Sequence, residues 1–142
     1  MKTPRRAAGF TLLELMVVLV VMAILAALAF TSYARYGFRA RRPDGQKLLM
    51  AIGNAEERYY ALHNIYADLA TIGYASTTTA TSDSGFYTAS VTVGTVNALA
   101  GQGYTATAVP VGNQARDVCG SLTLTDTGVR SQTGTTGNGN CW

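Results

Sequence analysis

Positions 15–30 form sixteen consecutive residues without a polar side chain, and extending the run back to Phe10 gives 21, with only Thr11 and Glu14 interrupting. At about 1.5 Å per residue that helix is ~31 Å long, matching a hydrocarbon core of about 30 Å. The run predicts a membrane-length helix. From Gln46 onward the pattern changes. Leu48, Ile52, Ala55, Tyr59 and Leu62 recur at spacings of 4, 3, 4 and 3, a single apolar helical stripe suited to packing on a sheet. Lys47, Glu56, Glu57 and Arg58 fall off that stripe and read as a solvated face. Between the two helical patterns stand Pro43 and Gly45. Proline removes a backbone donor and crowds the preceding turn at Arg39, so a kink is expected near residues 42–45, with Asp44 capping a second segment. The helix should end near His63 and Asn64.

Residues 76–84, almost all Ser, Thr, Ala and Asp, read as a surface loop. Period-two alternation follows. Tyr87, Ala89, Val91 and Val93 alternate with Thr88, Ser90 and Thr92, and Tyr104, Ala106 and Ala108 alternate with Thr105 and Thr107. Leu122 and Leu124 mark a third strand, and Asp126-Thr127-Gly128 reads as a hairpin turn into a short fourth. Short hairpin connections imply an antiparallel sheet. One long helix on such a sheet is an α+β layer architecture.

Composition narrows the function classes. The 142 residues suit one ordinary domain. Charged residues are 13%, against a usual ~25%, and 48% are apolar, with 15 Gly and 19 Thr. A disordered chain is excluded. The formal net charge of +3 comes wholly from Lys2, Arg5 and Arg6: without residues 1–9, eight bases face eight acids. A polybasic nucleic-acid binder is therefore excluded too. Lys2, Arg5 and Arg6 favour a cytoplasmic N-terminus, but Arg35, Arg39, Arg41 and Arg42 on the far side nearly balance them. The only two cysteines, Cys119 and Cys141, break the tie, because a late pair suits an oxidising, exported compartment. A bridge between them would enclose 21 residues and remove about 3 kcal/mol of loop entropy from the unfolded chain.

A secretory signal peptide has the same basic start and apolar middle, and Ala27-Leu28-Ala29 offers a cleavage site. Glu14 argues against it. A carboxylate inside hydrocarbon costs roughly 2.5–3.5 kcal/mol, which a disposable signal has no use for. The helical pattern also continues beyond Ala29 without a polar linker.

The stretch Arg5-Arg6-Ala7-Ala8-Gly9-Phe10-Thr11-Leu12-Leu13-Glu14-Leu15 resembles the cleavage and methylation site of a type IV prepilin. Glu57-Arg58-Tyr59-Tyr60, Asn64-Ile65-Tyr66-Ala67-Asp68-Leu69 and Ile72-Gly73-Tyr74 resemble the helix exit of PilE-like minor pilins. So does the end of the chain, from Cys119-Gly120-Ser121-Leu122 to Arg130 and closing on Cys141-Trp142. The resemblance implies cleavage between Gly9 and Phe10 by a prepilin peptidase and N-methylation of Phe10. It implies that Glu14 meets an N-terminal ammonium during assembly, which would make an otherwise costly carboxylate tolerable. It also implies the type IV pilin fold, in which a disulfide-bounded loop between Cys119 and Cys141 either pins the C-terminus or mediates contacts. One departure is Thr31, where type IV pilins often carry proline.

Other chemistry is thin. His63 is the sole histidine and neither a metal site nor a nucleophile triad is suggested around it. No enzyme activity, metal or cofactor is expected. Arg35, Arg39 and Arg42 share a helix face with Tyr33, Tyr36 and Phe38 interleaved, an interfacial collar for lipid phosphates or for acids on neighbours. Some relatives in this subgroup receive DNA. Beyond residue 58, however, only Arg116 and Arg130 face Asp68, Asp83, Asp117 and Asp126, whereas phosphate binding wants clustered bases. DNA is not an expected partner.

The expectation is a leader at 1–9, a transmembrane and filament-core helix at 10–36, and an exported domain at 37–142. The resemblance implies a minor subunit of a type IV pilus serving assembly, twitching motility or adhesion. Its partners would be other pilins, the prepilin peptidase and methylase, and the inner membrane of a Gram-negative bacterium before assembly. The alternatives are a type II secretion pseudopilin, against which the Cys119–Cys141 loop and the Cys-Trp ending tilt, and a DNA-binding pilin.

Overall fold

The computed structural model describes residues 9–96 and 98–142, with residues 30–32 described by backbone alone. The leader's Lys2, Arg5 and Arg6 lie outside the described residues. Helix α1 runs Leu12–His63 without a break. The chain divides into two compact units, one ending at Ala34 and one spanning Arg35–Trp142.

Pro43 lies inside α1 rather than at a boundary. There is accordingly no second segment for Asp44 to cap, and its Oδ1 instead accepts a hydrogen bond from the Ser84 amide at 3.2 Å. The neighbouring Gly45 has a packing reason. A Cβ there would lie 2.8–2.9 Å from three ring carbons of Tyr87, so the missing side chain is what lets a buried tyrosine lie against the helix backbone.

Five strands follow: β1 Thr79–Thr81, β2 Tyr87–Val96, β3 Leu99–Pro110, β4 Leu122–Thr125 and β5 Arg130–Gln132. They form one antiparallel sheet in sequence order. The alternation expected for β3 and β4 is realised, and that of β2 holds up to Val91, whereas Val93, expected in the same row, is exposed. Ala89 pairs with Ala108 and Ala108 with Leu122, while Val91 pairs with Ala106 and Ala106 with Leu124. These rows are buried apart from the partly buried Val91, and with Leu49, Ile52 and Leu69 they form the core. The opposite row, Thr79, Ser90, Thr107, Thr123 and Ser131, carries only hydroxyls.

Three expectations change. Residues 79–81, read as loop, pair with 88–90 as an edge strand. Their Thr-Ala-Thr composition is polar enough to look like a loop, yet β-branched threonine suits a solvated edge. The connection from β3 to β4 is no tight hairpin but carries a 3-10 turn, Gly112–Arg116. The buried helix stripe holds at Leu48, Ile52 and Ala55 but is wider than expected and stops short of Leu62. Leu49, Ile52, Glu56 and the partly buried Tyr60 face the core, while Leu62 is 82% exposed. Those positions are spaced 3, 4 and 4, a better helical row than the one through Leu62, but it contains a glutamate.

Candidate functional site

At the stem's start Thr11 precedes the first helical residue, and its Oγ1 accepts a hydrogen bond from the Glu14 amide at 3.2 Å. This is the N-cap geometry, and Glu14 sits in the first turn, where the helix dipole favours a carboxylate. The Thr-x-x-Glu spacing is the sequence signature of a capping box, so the cap was readable from four residues. Phe10 is 84% exposed, and Gly9 has open space around it, which leaves the Gly9–Phe10 bond accessible. Every described side chain from Leu12 to Ala29 is exposed. The helix is long and apolar enough to cross a membrane. Exposed apolar surface of this extent calls for lipid or other helices.

The second candidate region lies where the exported unit's helix meets the chain end. Cys119 and Cys141 are disulfide-bonded, with Cα atoms 5.7 Å apart. Beside the bridge sits Arg42, which is 2% exposed. Its Nε and Nη2 each donate to one carboxylate oxygen of Asp117 at 2.7 Å, a two-pronged ion pair. Its Nη1 donates to the carbonyls of Asn138 at 2.9 Å and Asn140 at 2.8 Å. The hydrogen bond to Asp117 raises Arg42 above the ordinary arginine range, outweighing its burial. Around it, Gln114 donates to the Phe38 carbonyl and to Asp117. Asn138 donates to the Arg35 carbonyl, and Gln46 to the Cys141 carbonyl. The result is a clamp that fastens the disulfide loop to α1.

Arg42 therefore does not belong to the collar of arginines and aromatics expected from its helical spacing. Two charges removed from water together satisfy each other better than an arginine would satisfy a lipid headgroup it cannot reach. Nothing in the local sequence around Arg42 or Asp117 signals the pairing, because the partners are 75 positions apart. The remaining collar is intact in part: Tyr33 and Tyr36 are exposed, as are Arg35 and Arg39, while Arg41 covers the Phe86 ring at 4.7 Å.

Glu56, read as solvated, is fully buried. Its Oε2 accepts a 3.4 Å hydrogen bond from the Ala67 amide, while Oε1 has no partner among the described residues. Burial, with help from the charges of Asp68 and Glu57, pushes its carboxyl up to about 7. Glu57 is exposed and accepts from the Tyr66 hydroxyl at 3.1 Å. His63 stacks on Tyr59 with ring centres 4.0 Å apart, and among the described residues no three His, Cys, Asp or Glu side chains gather.

Comparison with known proteins matches the start of the chain and the exported unit as far as residue 123. Residues 31–123 match the family described as "Type IV minor pilin ComP, DNA uptake sequence receptor". Residues 4–30 match the prokaryotic N-terminal methylation motif. Among solved structures, a type IV pilin from Shewanella oneidensis is 30% identical, with a TM-score of 0.50, covering 74% of this chain and 97% of its own. No curated protein matches.

Proposed function

The chain belongs to the type IV minor pilins, and from that premise we propose that it is a minor structural subunit of a type IV pilus, serving filament assembly and the twitching or adhesion that depends on it. Peptidase cuts between Gly9 and Phe10, and Phe10 is N-methylated. The stem, residues 10–36, anchors the subunit in the inner membrane with residues 37–142 outside. It then leaves the bilayer and packs against the stems of other pilins. No step of this role requires catalysis.

The observation that carries the reading is the apolar stem, exposed at every described side chain from Leu12 to Ala29, with Glu14 as the single charged residue of the sequence 10–34. Lipid satisfies that surface before assembly and neighbouring helices satisfy it afterwards. After cleavage the Phe10 ammonium lies one helical turn from Glu14, so a cation is at hand for the carboxylate, on its own chain or a neighbour's. The test is quantitative mass spectrometry of filaments sheared from the cell surface. A chain beginning at methylated Phe10, oxidised at Cys119–Cys141 and scarce beside another pilin is the expected result. Recovery only from the cell envelope, with another pilin abundant in the same filaments, would move the reading to a type II secretion pseudopilin.

DNA reception is a second reading, favoured by the description of the family matched over residues 31–123. The compact unit that begins at Arg35 holds eight bases against seven acids. Arg35, Arg39 and Arg116 are exposed within that unit. Phosphate contact through them would weaken steeply with salt. A salt-sensitive shift of duplex DNA by the full chain in detergent supports this reading, and the absence of any shift at low salt retires it.

A further inference from the structure

The exported unit also contains an open groove of about 370 Å³ between α1 and the β4–β5 turn, with Asn54 and Glu57 on one wall, Asp126 on the other and Arg130 at the rim. Its floor is made possible by Gly53. A Cβ at that position would stand 3.1 Å from the Tyr104 hydroxyl and 3.3 Å from Leu124, so any side chain there would crowd the space into which the phenol points. Tyr104 is only 4% exposed, yet its hydroxyl lines the groove and has no hydrogen-bond partner among the described residues. The groove is open at that point, so the hydroxyl oxygen can accept a hydrogen bond from a ligand.

Two carboxylates and one guanidinium line the groove. Neither Glu57 nor Asp126 forms an ion pair among the described residues. Arg130 is the nearest candidate to neutralise them. Its guanidinium instead contacts the Met50 sulfur at 3.8 Å and covers the Trp142 ring at 5.6 Å. Burial, then the charges of Glu57, Glu56 and Asp126, push the Tyr104 phenol up to about 12. The Tyr66 phenol is raised by burial and by the same two wall carboxylates. The groove therefore has a carboxylate on each wall, the Tyr104 hydroxyl at its floor and apolar surface from Met50 and Leu124 between them, with Arg130 resting on Met50.

We infer that this groove receives an arginine side chain from a partner protein, its guanidinium donating to Glu57, Asp126 and the Tyr104 hydroxyl oxygen while its methylenes lie on Met50 and Leu124. A planar guanidinium has donors enough for two carboxylates and a phenol at once, which a compact ammonium matches less well, and its stem wants the apolar strip. The inference concerns the exported unit alone and does not depend on the filament reading.

The full chain in detergent micelles, labelled with 13C at its methionine and leucine methyls, provides the test. Titration with an acetyl-Gly-Arg-Gly amide peptide should shift the Met50 and Leu124 methyl signals saturably, and the Gln analogue of that peptide should not. Glu57→Gln and Asp126→Asn should each weaken binding about tenfold, as expected for a lost charge-assisted hydrogen bond. Tyr104→Phe keeps the ring in the core and should weaken binding by roughly three- to tenfold. Unshifted methyls, an equal response to the Gln peptide, or unaltered binding by a folded Tyr104→Phe or double-carboxylate variant would overturn the inference. So would calcium chloride shifting the same methyls at lower concentration than the peptide, which would make the groove a divalent-cation site.

Discussion

In the stem, the groups that matter lie within one helical turn: Thr11 caps the amide of Glu14 three residues on, and the exposed apolar run begins at the next position. In the exported unit the corresponding groups lie far apart in sequence, Arg42 with Asp117 and with the carbonyls of Asn138 and Asn140. Each region handles an ionic group in apolar surroundings, but in a different way. Arg42 is paired inside its own chain, whereas Glu14 has no ion-pair partner among the described residues. A charge left open at the start of an apolar helix is suited to an intermolecular role, and a charge closed inside a clamp is suited to holding a fold.

The largest effect should come from breaking the open side of this contrast. Glu14→Ala is expected to leave membrane insertion intact, since removing a carboxylate from the apolar run lowers its insertion cost, while abolishing recovery of the chain in sheared filaments. Fractionation followed by immunoblotting of membranes and filaments checks it, and wild-type levels of the variant in filaments would sink the assembly role of Glu14.

Breaking the closed side should cost stability rather than assembly chemistry. Arg42→Ala strands the buried Asp117 carboxylate and leaves the Asn138 and Asn140 carbonyls without their donor, a loss of about 3–5 kcal/mol. Replacing both partners, Arg42→Met with Asp117→Leu, should recover much of that loss, because no charge is then left buried alone. Thermal unfolding of the full chain in detergent measures both. Equal destabilisation of the single and double variants would show that the clamp's backbone contacts, not its ion pair, hold the loop.

What could be read from the sequence follows the same division. The stem and its methylation motif could be read from consecutive residues, because helix length, the Gly9-Phe10 junction and Glu14 are local patterns. Alternation identified β2, β3 and β4 because one face of each is apolar. The edge strand β1 escaped because its solvated threonines carry no such contrast, and register alone pairs Thr79 with Ser90. Glu56 escaped for the opposite reason: polarity placed it outside the stripe, although helical geometry aligns it with Ile52 and Tyr60. Arg42 was assigned by its neighbours on α1, and no helical-wheel argument can see a partner 75 residues away.

Glu56 makes the buried side of the contrast sensitive to pH. Burial holds its carboxyl up at about 7, whereas a glutamate in an unfolded chain titrates near 4.3. Between those values the folded state holds a proton that the unfolded state has released. The contribution of Glu56 to stability is therefore greatest below that window, falls as pH rises through it, and levels off above it. Glu56→Gln should flatten the slope and exceed the wild type by about 3–4 kcal/mol at pH 8, with the two nearly equal at pH 4. Unfolding temperatures at both pH values check this, and a wild-type slope retained in the variant would assign the dependence to another group.

The smallest effect tests whether the stem's first turn is held locally, as the comparison requires. Thr11→Ala removes the acceptor for the Glu14 amide and should cost about 1 kcal/mol, whereas Thr11→Ser retains it. Because an unpaired amide is dearer in hydrocarbon than in water, the cost should be larger in a bilayer than in a solvated peptide of the same sequence. Hydrogen exchange at the Glu14 amide reads it directly: about five- to tenfold faster in the alanine variant and near wild type in the serine variant. If serine and alanine exchange alike, the hydroxyl is not the cap, and Glu14 is positioned by whatever chain it meets rather than by its own.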